Sequence, residues 1–165
     1  TIIKCETGVN QLKKTVSLLL ICAMLFILPQ TCYAIPSGFQ YLGFCDEGKI
    51  YYHYNNLRLW TDSQNGPTLQ GAILIELTPA GISVYRNLIG LPLNELGYMG
   101  TIFTFNLNAK TYTTTEIGLF NITEMKILYK LPGYPDPQQV IPDSFEHNIA
   151  KMLFAKAREK YQINP

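Results

Sequence analysis

Apolar and polar positions alternate along most of the chain from Phe39 to Tyr129, and the spacing changes to three and four residues only near the C-terminal end. Residues 39–44 and 49–54 flank Asp46-Glu47-Gly48. Glycine tolerates the positive φ that tight turns demand, so this pattern predicts a hairpin. On its second strand Lys49, Tyr51 and His53 share one face, and Ile50, Tyr52 and Tyr54 the other. Asn55-Asn56 turns the chain, Leu57, Leu59 and Trp60 can pack after it, and the polar run from Thr61 to Thr68 predicts a loop. The short apolar run GAILIEL, 71–77, predicts a central strand. ISVYRN reads as a strand, while Gly90, Pro92 and Gly97 oppose a long helix across 81–97. Tyr98 to Asn106 alternates cleanly and Ala109 to Glu116 is rich in threonine, which predicts a second hairpin. Shorter strands are expected over 117–120 and 124–129.

Four prolines between Leu131 and Pro142 predict an extended segment that covers a surface without joining a ladder. The helical period follows: Phe145, Ile149, Met152, Leu153 and Ala157 form an apolar stripe, with Lys151, Arg158 and Glu159 opposite. Asp143 and Glu146 have capping-box spacing, and Lys156, Arg158 and Lys160 suit the far end of a helix dipole. The whole predicts an α+β domain, an antiparallel sheet of five to six strands with one C-terminal helix packed on it.

Ahead of this domain stands an unbroken apolar run from Leu18 to Leu28. As a helix it would reach only about half of a bilayer's hydrocarbon core. Lys13 and Lys14 precede it, Pro29 breaks it, and Cys32-Tyr33-Ala34 puts small residues at the first and third positions. A basic start, a short apolar core and a small-x-small end describe a cleaved signal peptide, so 1–34 is expected to be a leader and 35–165 a single exported domain. Thr1 is not an initiator; a start near Val9 would give a leader of ordinary length, with residues 1–9 outside the translated chain. The triplets before Cys22 and Cys32 lack the small residues that lipid attachment requires. Membrane contact is thus expected only through the leader, before cleavage.

Without the leader the chain has ten basic and eleven acidic side chains, a net charge of −1. That argues against nucleic acid, which asks for a basic face. Cys45 alone remains of four cysteines, so no internal disulfide is expected. Ten tyrosines, seven phenylalanines and Trp60 favour strands first and a contact surface second.

The phrases KIYYHYNNLRLW, GAILIEL, TIFTFNLNAKTYTTTEIG and VIPDSFEHNIAKML, in that order, resemble the surface-adhesin protein E-like domains of bacterial envelopes. The likeness spans roughly 39–155. It implies an envelope or surface domain, in a family of which a few members bind host matrix proteins; adhesion belongs to particular surfaces and does not transfer with a fold. Family members often carry a cysteine in the hairpin strand and another late in the helix. Here those regions read Phe105-Asn106-Leu107 and Leu153-Phe154, so the implied bridge is missing.

The pattern offers little for catalysis. Two histidines, His53 and His147, accompany Cys45, and neither a Gly-x-Ser-x-Gly nor a His-Glu-x-x-His phrase occurs. Asp46-Glu47 with His53 is a thin case for a metal, which wants three or four converging ligands. No catalytic, cofactor or metal residue is therefore assigned, and the protein is expected not to be an enzyme. The candidate contact surface is Tyr51, His53 and Trp60. The expected function is binding of a macromolecule, a protein partner in the envelope or host matrix, by a secreted or envelope domain. The alternatives are a small-ligand carrier with an aromatic-lined pocket and a hydrolase of unrecognised chemistry. A carrier should show an apolar cavity of a few hundred Å³, and a macromolecular binder an exposed apolar patch.

Overall fold

A computed structural model describes residues 35–62 and 66–162. The leader and its cleavage point lie outside the described residues. Among those described, no helix is long and apolar enough to cross a membrane.

The architecture is a single antiparallel sheet with helices on one face. Its strands are β1 (Phe39–Cys45), β2 (Gly48–His53), β3 (Arg58–Asp62), β4 (Gly66–Leu77), β5 (Leu96–Asn106), β6 (Thr111–Thr114), β7 (Ile117–Asn121), β8 (Ile127–Leu131) and β9 (Gln138–Gln139). The helices are α1 (Pro79–Ile89) and α2 (Phe145–Tyr161). Two long strands, β4 and β5, form the centre, paired from Thr68↔Asn106 to Glu76↔Tyr98. On the far side of β4, β2 pairs with its C-terminal half and β3 with its N-terminal half. Likewise β5 is flanked by β7 at one end and β6 at the other. β1, β8 and β9 complete the margins beside β2, β7 and β6.

Alternation assigns the faces. Leu69, Ile73, Ile75 and Leu77 of β4 point to the helical side with Ile50, Tyr52, Met99, Phe103 and Phe105, and all are buried. The α2 stripe of Ile149, Leu153 and Ala157 closes on them, fully buried. Ser144 caps α2, its hydroxyl accepting from the His147 N–H at 3.2 Å. Asp143 was the expected cap; it stands one residue too early, and its own N–H donates to His147 Nδ1. At the other end the Lys160 ammonium donates to the carbonyls of Tyr54 (2.7 Å) and Leu57 (2.9 Å) and lies 4.7 Å from the Tyr54 ring centroid.

Three segments depart from the expectations. The ISVYRN run is helix α1, not a strand: Thr78 caps it, Pro79 starts it, and Gly90, in the left-handed conformation, ends it. Gly90 is thus a stop signal, not an obstacle. Gly81 lets α1 approach the first hairpin, because a Cβ there would sit 2.4 Å from the Glu47 carbonyl oxygen. Second, Thr61, Asp62 and residues 66–68 of the polar stretch lie in strands β3 and β4, whose ladder runs from Arg58↔Gln70 to Asp62↔Gly66. Third, the proline-rich segment joins the sheet briefly, through Gln138 and Gln139 against Tyr112 and Thr111.

Candidate functional site

The helix-free face, the one with no helix among the described residues, carries the residues that the hydropathy pattern pointed to. Tyr51 is paired with Leu74 and Trp60 with Thr68, while His53 extends β2 beyond the Tyr52↔Ile73 pair. All three side chains therefore lie on that face, since the period of two sends Ile50 and Tyr52 to the core. They do not form one cluster. Tyr51 meets Tyr41 edge-to-face with ring centroids 5.8 Å apart, and its hydroxyl donates to Glu76 Oε2 at 3.0 Å. Burial, then the Glu76 carboxylate, pushes the Tyr51 hydroxyl up to about 12. His53 meets Phe39 edge-on at 5.0 Å, and its enclosed Nδ1 has no hydrogen-bond partner among the described residues. Trp60 stands apart on β3, 40% exposed.

A recess on this face lies beside them, over the sheet centre. It is a groove of about 610 Å³. Ala72 and Leu74 of β4 and Gly100 and Ile102 of β5 make its floor, Phe39 stands at one wall, and Phe120 and Ile127 at the other. The floor is low because Gly100 pairs directly with Gly118 of β7, leaving two adjacent positions without side chains. The Phe120 ring lies over both: a Cβ at Gly118 would fall 2.7 Å from its Cζ, and one at Gly100 3.2 Å from its Cε2. Lys130 and Glu116 pair across the rim at 2.7 Å. Among the described residues β8, which supplies Ile127 and Lys130, pairs with β7 alone, and its other edge is left open by them.

Alternation also bears on the chemistry weighed in the sequence. Cys45 pairs with Gly48 and points to the helical side, whereas His53 points away from it, so the sheet stands between thiol and imidazole. Burial, with a hydrogen bond to Glu47, raises the Cys45 thiol, which disfavours the nucleophilic thiolate. Among the described residues no group of three histidine, cysteine or acidic side chains converges as a metal site.

Sequence reasoning identified one face of β2 and missed the groove. The signal was present in Gly100 and Gly118, but their pairing depends on the register of two strands that no local pattern dictates.

No family model matches this chain, and no curated protein does. Among solved structures it is similar to protein E of Haemophilus influenzae, with 12% identity and a TM-score of 0.46, over 74% of this chain and 88% of that one. A second crystal form of that protein gives the same identity and TM-score, over 74% and 91% of the two chains. These neighbours bear the name of the family that the phrases of the sequence resemble. At this distance the likeness assigns neither a partner nor a functional residue.

Proposed function

We propose that this is an exported, non-enzymatic binding domain of the cell envelope, and that it holds an extended apolar segment of a protein partner in the groove on its helix-free face. The observation that carries this reading is the groove itself: an apolar trough over a glycine-paired floor, beside a strand whose outer edge has no partner among the described residues. A segment laid in the trough would bury apolar side chains against Leu74, Ile102 and Ile127, and a stretch of it that continued past Ile127 could meet the open edge of β8 with main-chain hydrogen bonds. The leader pattern supports export, and the resemblance of the sequence to surface-adhesin domains supports a partner in the envelope or host matrix.

The test compares the purified protein with an Ile102→Lys form in quantitative capture from envelope fractions and from host-matrix extracts. Ile102 is half-buried and outside the main core, so the thermal midpoint should hold. Recovery of the specific partner should fall by about tenfold or more, since a lysine ammonium would have to be desolvated against the bound segment. Equal recovery by both forms would remove the groove from the binding surface.

A second reading, a small-ligand carrier, has its own observation. A cleft of about 420 Å³ lies between the β5–β6 turn and α2, lined by Phe105, Leu107, Val140 and Phe154, with Lys110 and Lys151 beside it. Its size and apolar lining suit a small amphiphile with an anionic end.

A further inference from the structure

On the helical side, between α1, α2 and the sheet, lies a separate cavity of about 270 Å³. Five distant parts of the chain converge on it. The first hairpin turn brings Glu47, α1 brings Tyr85, β6 brings Tyr112, the proline-rich segment brings Tyr134, and the first turn of α2 brings Phe145 and Glu146. The rings form a connected wall. Tyr112 and Tyr134 meet edge-to-face at 6.5 Å, and Phe103 stands 5.9 Å from Tyr112 and 6.3 Å from Phe145. Both charged groups in the lining are carboxylates, and its residues include no lysine, arginine or histidine. Neither Glu47 nor Glu146 has an ion-pair partner among the described residues.

An apolar ligand would gain nothing from two acids in its wall, and an anion would be repelled by them. Aromatic faces carry a negative quadrupole, so rings and carboxylates together favour a positive charge whose own hydration is weak. The volume is below that of typical sites for drug-sized ligands, so the group that enters is small. We propose that this cavity is a binding site for a small free organic cation of the trimethylammonium class, held against Tyr85, Tyr112, Tyr134 and Phe145 and balanced by Glu47 and Glu146. The tyrosines act as neutral rings there. Burial and then Glu47 push the Tyr85 hydroxyl up to about 12, and burial and then Glu146 raise that of Tyr112. The molecule holds one of its own ammonium groups in similar fashion, Lys160 between the rings of Tyr54 and Tyr161. The site is independent of the groove, which lies on the opposite face of the sheet.

Calorimetric titration of the purified protein tests the site with three probes: choline, its neutral isostere with a quaternary carbon in place of nitrogen, and phosphocholine. Choline should bind saturably and about tenfold or more tighter than the isostere. Phosphocholine should bind more weakly than choline, because its phosphate meets the two acids. Glu47→Gln and Tyr134→Ala should each weaken choline by about threefold or more. Tyr134 is an exposed side chain on a loop, so its variant decides the matter if Glu47→Gln lowers the thermal midpoint. Equal binding of choline and its isostere would make the cavity merely apolar and overturn the proposal, as would an absence of saturable choline binding or unchanged affinity in the Tyr134 variant. Tighter binding of phosphocholine would replace the free cation with a lipid headgroup and overturn it too.

Discussion

Leu153 and Gly71 offer a sharp test of how α2 is seated. Leu153 is fully buried, and a Cβ at Gly71 would lie 2.8 Å from its Cδ1 and 3.1 Å from its Cδ2. The helix thus rests on the bare backbone of β4 at this point. Leu153→Ala removes about three methylene equivalents, roughly 2.4 kcal/mol of transfer free energy. The cavity left behind raises the cost to about 3–4 kcal/mol, since glycine opposite has nothing to move into the space. Gly71→Ala forces a methyl into the contact at about 1–3 kcal/mol, offset by roughly 0.5–1 kcal/mol for removing glycine from a strand. In the double variant the new methyl enters the space that Leu153 vacated. Its total cost should therefore fall below the sum of the single costs by about 1–2 kcal/mol. Urea unfolding followed by far-UV circular dichroism measures all four corners of the cycle, with a constant m-value as the control for an unchanged unfolded state. Additivity within about 0.5 kcal/mol would refute the seating of Leu153 on Gly71.

Two further predictions follow from the hairpin and the tyrosines. Thr78 caps α1 by accepting from the Gly81 N–H at 3.2 Å and also donates its hydroxyl to the Glu47 carbonyl at 3.0 Å, so Thr78→Ala should destabilise by about 1–2 kcal/mol in the same unfolding assay, and Thr78→Ser should recover most of the loss. Tyr51 and Tyr85 both have hydroxyls pushed up to about 12 from 10.0, so the unfolded chain releases these protons first. Their contribution is intact below pH 10 and lost as pH rises towards 12. Phenolate absorbance during alkaline titration should place Tyr51 and Tyr85 among the late-titrating tyrosines of the folded protein, and Tyr51→Phe should remove one of that group.

The sheet and its last helix were legible because their signals are local. The α2 stripe of Ile149, Leu153 and Ala157 is a helical period, and the split of Ile50 and Tyr52 from Tyr51 and His53 is a strand period. Where the structure departed, composition hid geometry. Gly90, Pro92 and Gly97 looked hostile to a long helix, yet Gly90 terminates α1 and Gly81 lets that helix touch the Glu47 backbone. The polar run from Thr61 to Thr68 looked like a loop, yet Thr61 and Asp62 pair with Pro67 and Gly66 across a ladder that needs no apolar side chains. The groove was the least legible feature. Its floor depends on Gly100 and Gly118 becoming neighbours through a register bulge between Leu96 and Tyr98, a non-local event. The cation cavity gathers residues from Glu47 to Glu146 and was equally invisible to any short window.

With both described helices on one side of the sheet, the protein has two mutational regimes. Behind the sheet, changes at Leu69, Ile75 or Phe105 must preserve a close-packed interior and are filtered by folding. In front, Ile102, Ile127 and Lys130 border the trough without belonging to the main apolar cluster. Substitutions there can alter recognition while the scaffold persists, so such a surface can drift between targets faster than the domain that bears it.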